Sequence, residues 1–313
     1  MSADVLVVGA GLSGLACARR IADAGLSVRV LDRGRRPGGR LGARTLDGHE
    51  VDLGAPYCTA SDDRFRAVVE DWTGRGLLRE WTDTFRVAGP EGLGEAKSGP
   101  MRFAAPGGMR SLADDLAAGL DVERRTVERV GPGPDVDGEA ARAVVLAMPG
   151  PQAARLLGGL PDLMRTAQQR SAPAIAVAAR FAERTWPEFD GAFVSDLPIS
   201  WLADDGRSRG DGAPVLVAHT TPEVASAHLE DPASVVGQVV DAMRRVLGVP
   251  LEPVETLAQR WTFAHPTEQR DRTFLLDAGG IGLCGDGWSE KSRIEAAWLS
   301  GDDLGAALVE RLS

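Results

Sequence analysis

Val5 to Val8 is an unbroken apolar run that stops at Gly9, and beyond it apolar residues return at helical spacing (Leu12, Leu15, Ala16, Ile21) until Gly25. A short continuous run closed by glycine predicts a buried strand, and the spacing predicts a helix that packs on it by one face. Ser27 to Leu31 alternates toward a second strand, which closes a strand-helix-strand unit within about 30 residues. Regularity then weakens, because residues 33–60 are rich in Gly, Arg and Pro and read as extended loop. Helical spacing recurs over 62–73 (Phe65, Val68, Val69, Trp72) and over 109–118 (Met109, Leu112, Leu116). Ala143 to Ala147 is another apolar strand, ended by Pro149. Strand-like runs, Ile175 to Phe181 and Val215 to His219 among them, fill 173–263 together with one helical stretch, Val235 to Leu247. A strand at Ile281 to Cys284, a Gly-rich turn and a helix from about 293 to 312 complete the pattern.

The first turn carries chemistry. Gly9-Ala10-Gly11-Leu12-Ser13-Gly14 fits G-x-G-x-x-G directly after a strand and at the opening of a helix. In such a turn Gly9 permits the tight reversal, Gly11 lets a pyrophosphate approach the backbone, and Gly14 lets helix and strand pack closely. The phosphate sits on the helix N-terminus, where free N–H groups and the positive end of the dipole meet it. Asp32, at the end of the second strand, is placed to accept hydrogen bonds from ribose hydroxyls. The predicted fold class is therefore α/β, with a Rossmann-like dinucleotide-binding domain. No linker marks an appended domain, so the second region is expected as an insertion built on a mixed or antiparallel sheet. The expected division is 1–60, 106–160 and 264–313 for the nucleotide domain, and 61–105 with 161–263 for the substrate domain.

Charge and cysteines narrow the function classes. Lys+Arg number 35 against 45 Asp+Glu, a net charge of −10, so a nucleic-acid partner is not expected. Cys17, Cys58 and Cys284 are far apart and lack metal-site spacing, which predicts neither a disulfide framework nor a metal, and fits a reducing compartment. No apolar run approaches the ~18 residues of a membrane span. Asp4 stands where a signal peptide would carry Lys or Arg, so a soluble, cytoplasmic protein is expected. Oligomeric state is left open.

A second group of residues separates FAD from NAD as the resident cofactor. Arg33 through Arg40 reads Arg-Gly-Arg-Arg-Pro-Gly-Gly-Arg, followed by Leu41, and Asp52-Leu53-Gly54-Ala55 comes soon after. Gly39 and Arg40 can bring backbone and a guanidinium fork to a second phosphate. This resembles the FAD fingerprint of the flavin amine oxidase superfamily, and Cys284-Gly285-Asp286-Gly287-Trp288 before the helix at Ile294 resembles its closing motif. The resemblance implies noncovalent FAD and contacts from Arg33, Leu41, Gly54, Ala55, Val127, Gly285, Asp286 and Ile294. The pieces Asp52 to Tyr57, Phe103 to Met109, Leu146 to Pro149, Ala218 to Thr221 and Gln259 to Trp261 follow the order found in the renalase family. That closer resemblance implies a p-hydroxybenzoate-hydroxylase-like fold. It also implies oxidation of 2- or 6-dihydro isomers of NAD(P) to NAD(P)+, with dioxygen reduced to hydrogen peroxide. An amine oxidase or carbon–carbon desaturase on the same fold, and a flavin-binding protein without turnover, are the alternatives.

The remaining residues weigh on that choice. Tyr57 is the only tyrosine, and Lys97 and Lys291 are the only lysines, one placed in a Gly-rich loop and one in the closing motif. The tyrosine pair and central lysine typical of amine oxidation are thus missing, although Trp261 and Trp288 could form a cage. No catalytic acid or base stands out, and the pocket candidates are Tyr57, His219, Trp261, His265 and Trp288, with Trp201 beside them. A hydrogen-bonded structural role is the alternative for both histidines. His49 and His228 read as solvated, and Trp72, Trp81, Trp186 and Trp298 as packing residues. Arg180 could meet a substrate phosphate or form a salt bridge.

Overall fold

A computed structural model describes residues 3–250 and 252–313. Strand Val5–Val8 lies inside a six-stranded sheet, between Val28–Asp32 and Ala143–Leu146, parallel to both. Asp121–Arg124 and Ile281–Leu283 extend the sheet in parallel on either side, and Leu275–Leu276 closes one edge antiparallel. Every residue of Val5–Val8 is buried because both faces of the sheet are covered. Val5 and Val7 pack with Leu15, Ile21, Leu112 and Leu304 of three helices, while Leu6 and Val8 pack on the other face with Leu146, Leu157 and Ile281.

The first helix (Leu12–Asp23) and the last (Ile294–Leu312) lie against each other. Their contact requires glycine: a Cβ on Gly301 would stand 2.0 Å from the Ser13 carbonyl oxygen.

The second sheet has seven strands. Its order is Glu255–Pro266, Ser171–Arg180, Val215–Thr220, Ile199–Asp204, Gly191–Val194, Arg79–Gly89 and Gly92–Ala104. All neighbours are antiparallel except Gly191–Val194 and Arg79–Gly89, so the sheet is mixed, as expected from the sequence. Helix Val236–Leu247 covers one face through Val239, Met243 and Val246, packed with Ile175, Val177 and Leu216. Ala176, Ala178, Val215 and Val217 on the other face pack against Leu46, Val51 and Leu53.

Three elements differ from the sequence expectation. Residues 33–60 are not all loop, since Ala43–Leu46 and His49–Asp52 form a hairpin, with His49 exposed on its second strand. Each strand has only four residues, too few for an alternation to register, and packing on the second sheet decides it. Lys97 lies on a strand rather than in a loop, with its side chain exposed. The helix Asp63–Gly74 buries Phe65 and Trp72 in the core of the first sheet, although 61–105 reads as part of the substrate region.

Asp52 and Asp205 join the hairpin to the second region. Asp52 accepts the Met109 N–H at 2.9 Å, its own N–H points to Asp205 Oδ1 at 3.4 Å, and Arg209 lies 3.9 Å away. Burial pushes Asp52 up to about 7, with Arg209 opposing; burial and the Asp52 charge push Asp205 well above the carboxylate range. A carboxyl that keeps its proton only when folded makes stability fall as pH rises from about 4 through its folded pKa. Asp205→Asn is expected to match the parent near pH 4 and to exceed it at pH 8 by about 1–3 kcal/mol in urea unfolding. A parallel pH profile for the two proteins would contradict this account of the pair.

Candidate active site

A cavity of about 1770 Å³ opens between the two sheets. Its nucleotide side is built by three chain segments that cross closely. Gly38 N–H donates to the Ala10 carbonyl at 2.8 Å, and Ala55 N–H to the Arg40 carbonyl at 3.0 Å. A Cβ on Gly54 would lie 1.9 Å from that same carbonyl oxygen, so no side chain fits there. Asp32 accepts the Ala10 N–H at 2.7 Å and the Gly34 N–H at 2.6 Å, which fixes its carboxylate at the rim of the turn.

The sequence candidates Gly9, Gly11, Asp32, Arg33, Gly39, Arg40, Leu41, Gly54, Ala55, Val127, Gly285, Asp286 and Ile294 all line this one cavity. Gly14 does not line it. A Cβ there would stand 2.0 Å from the Gly9 carbonyl oxygen, the close helix-to-strand packing expected of the third glycine. Arg40 Nη1 donates to Asp286 Oδ2 and to the Ala264 carbonyl, both at 2.9 Å, and Nη2 donates to Asp286 Oδ1. Burial alone would raise Asp286, but Arg40 and the Ser292 hydroxyl hold it below the usual carboxylate range.

Tyr57, His219, Trp261 and His265 also reach the cavity. Trp288 does not: it is buried in the core on the far face of the first sheet, with the Arg270 guanidinium 4.1 Å from its ring centroid. Its place one residue after Gly287 turns it inward, away from the expected cage. Trp261 acts as a clamp between regions, since its indole N–H donates to the Leu53 carbonyl at 2.7 Å. Burial lowers His219 to about 4, with His265 adding to it, and burial and then Arg40 lower His265. Both imidazoles are neutral at pH 7, and His219 Nε2 has no hydrogen-bond partner. Arg180 forms salt bridges to Asp47 at 3.1 Å and Glu255 at 3.6 Å and does not line the cavity. His228 is capped by Ser234 at 2.7 Å on the surface.

Sequence reasoning missed Arg102, Phe193, Ser200, Gln259 and Arg260, which line the cavity from the second sheet. The sequence carried no signal for Arg102: Met101 and Phe103 mark the other phase of the strand Gly92–Ala104 as apolar, and only the fold buries Arg102 in phase with Ala104. Neither lysine lines the cavity.

The profile of the flavin containing amine oxidoreductases matches residues 92–304, and that of the NAD(P)-binding Rossmann-like domains matches residues 7–72. The chain belongs to the flavin containing amine oxidoreductase family. Members of this family are flavin-containing oxidoreductases. The fold of this chain matches a protein assigned to the protoporphyrinogen oxidases from Exiguobacterium sp. (TM-score 0.80, 16% identity, 99% of each chain). It likewise matches a cyclohexylamine oxidase from Brevibacterium oxydans (TM-score 0.77, 15% identity, 100% of each chain). In sequence, a neurosporene-forming phytoene desaturase from Rhodobacter capsulatus is 47% identical over 66 residues, 21% of this chain and 12% of the desaturase. A putrescine oxidase from Kocuria rosea is 38% identical over 68 residues, 22% of this chain and 14% of the oxidase. The matched stretches thus span less than a quarter of these curated relatives.

The residues present in this chain suit FAD. The first helix begins at Gly11 with no side-chain cap and no acid in its first turn, which leaves its N–H groups free toward the cavity. A Cβ on Gly11 would meet nothing within 4 Å, so this side of the turn is open to a ligand. The last helix also starts without a side-chain cap, at Arg293, another cavity residue. Among the described residues, no cluster of three or more His, Cys, Asp or Glu could hold a metal, and no helix is long and apolar enough to cross a membrane.

Proposed function

We propose that this protein oxidises 2- and 6-dihydro isomers of NAD(P) to NAD(P)+, with dioxygen reduced to hydrogen peroxide. FAD supplies the two-electron acceptor when bound. The observation that carries the reading is the cavity wall formed by the second sheet. It presents Arg102, the neutral His219 and His265, Trp201 and Trp261, and no carboxylate or lysine; Arg260 also lines it but turns its guanidinium to the Leu229 carbonyl. An ammonium substrate would find no counter-charge on this wall, whereas a phosphate of a dinucleotide would find the Arg102 guanidinium. Hydride loss from a dihydropyridine leaves an aromatic pyridinium with no N–H proton to remove. The chain then has to align the donor carbon and exclude water, and that task needs no general base.

On the nucleotide side, Gly9, Gly11 and the first helix N-terminus would hold the pyrophosphate and Asp32 a ribose. Arg33, Gly39, Arg40, Leu41, Gly54, Ala55, Val127, Gly285, Asp286 and Ile294 would enclose the rest. No covalent bond is proposed, because burial pushes the Cys58 and Cys284 thiols up to about 12 and the Cys17 thiol well above its ordinary value. A second reading, amine oxidation or desaturation, is favoured by the putrescine oxidase and phytoene desaturase matches. Anaerobic stopped-flow mixing separates the two. The dihydro isomers should bleach the flavin at least about a hundredfold faster than NADH or putrescine, a gap of about 2.7 kcal/mol or more in barrier, and air should then restore the colour with release of peroxide. Bleaching by an amine or a carotenoid precursor, with none by the isomers, would replace the first reading with the second.

A further inference from the structure

The wall of the cavity holds a buried cation with no counter-charge. Arg102 is 8% exposed, and its Nη1 is buried without a hydrogen-bond partner. Among the described residues it forms no ion pair. Apart from the Tyr57 hydroxyl, which hydrogen-bonds the guanidinium, what surrounds it is aromatic: the guanidinium carbon lies 3.8 Å from the Phe85 ring centroid and 5.9 Å from that of Tyr57. Phe85 also packs edge-on against Trp201, with ring centroids 4.8 Å apart. Trp201 lines the same cavity and its indole Nε1 is buried without a partner, as is Nε2 of His219 on the adjacent strand, paired with Trp201 in register.

Three orphaned polar atoms therefore belong to residues on one stretch of wall, and one of those residues carries a full positive charge. Buried polar groups are almost always satisfied, so each such atom asks for a partner. A water molecule could complete the hydrogen bonds. It could not offset the cost of burying the charge, which ring faces return only in part. An oxyanion does both.

We infer that Arg102, with the Trp201 indole N–H that shares Phe85 as a neighbour, forms an anion-receiving subsite for a phosphate or carboxylate group of the substrate. The subsite stands on the orphaned atoms and the unpaired charge; only the identity of the anion's carrier rests on the dihydronicotinamide reading. The guanidinium is a binding group that orients the substrate and takes no part in electron transfer.

The test uses the holoenzyme and reads perturbation of the flavin visible spectrum, so it needs no turnover. Nicotinamide mononucleotide, nicotinamide riboside and benzoate are titrated against the parent, Arg102→Gln and Arg102→Lys. Arg102→Gln should weaken the mononucleotide by about 10–100-fold, the range for hydrogen bonds to a charged group, while the uncharged-tail riboside changes less than about twofold. Arg102→Lys should recover part of the loss, since it keeps the charge and loses the planar fork. The melting temperature of Arg102→Gln should equal or exceed the parent's, because an unpaired buried charge has been removed. A response confined to benzoate would keep the subsite, assign it to carboxylates and count against the dihydronicotinamide reading. Equal affinities of parent and Arg102→Gln for both anions, or no spectral response of the parent to either, would overturn the subsite. So would a fall in melting temperature with affinities unchanged, which marks a purely structural arginine.

Discussion

Gly14→Val is expected to purify without its yellow colour, while the parent releases its flavin into the supernatant on acid precipitation. The substituent meets backbone, not a flexible side chain: a Cβ at Gly14 lies 2.0 Å from the Gly9 carbonyl oxygen and 2.9 Å from the Ala147 Cβ. The first helix must then move away from the strand, and its N-terminus moves with it. Overpacking of this kind costs about 3 kcal/mol, which lowers the melting temperature by about 5 °C or more in a chain of this size. Gly11→Ala separates the cradle from the packing. Its added methyl meets no protein atom within 4 Å, and the backbone there (φ −78°) suits alanine, so the unfolding curve of the flavin-free protein should be unchanged. The methyl enters the cavity, so FAD should bind more weakly. If both variants kept full flavin after dialysis, the pyrophosphate would lie elsewhere.

The Arg40–Asp286 pair should respond asymmetrically. Asp286 is 6% exposed and depends on Arg40 and Ser292, whereas the Arg40 side chain is 31% exposed and also donates to Ala264. Arg40→Met strands a buried carboxylate, which costs about 3–5 kcal/mol at pH 7. Asp286→Asn leaves a guanidinium that still has a carbonyl partner and cavity water, and should cost about 1–2 kcal/mol. Because Arg40 holds the Asp286 pKa down, the parent's share of stability from this carboxylate is present above the unfolded pKa and is lost as pH falls through the folded one. Arg40→Met reverses the sign: the stranded carboxyl takes up a proton in the folded state, and the variant recovers relative to the parent on acidification. Urea unfolding at pH 3, pH 5 and pH 8 reads both effects. Equal costs for the two single substitutions would mean that the pair is solvated rather than buried.

That residues of the proposed nucleotide half line one cavity was legible in the sequence because its geometry is local. Gly9, Gly11 and Gly14 sit within one turn, Asp32 ends the next strand, and the backbone path between them follows from strand and helix spacing alone. Gly39, Arg40, Gly285 and Asp286 were also legible, through motifs at both ends of the chain, but their mutual contact across 246 positions was not. The substrate wall depended on long-range pairing. Trp201 and His219 become neighbours only when two strands pair antiparallel, and Arg102 reaches the cavity because its strand buries that phase of the alternation. Trp288 shows the converse: adjacency to a cofactor motif suggested the pocket, and the turn at Asp286–Trp288 sent the ring into the core. Short-range periodicity and glycine chemistry determine a turn and a helix start by themselves. Which face of a strand meets a cavity depends on what packs against the other face, and only the tertiary structure decides that.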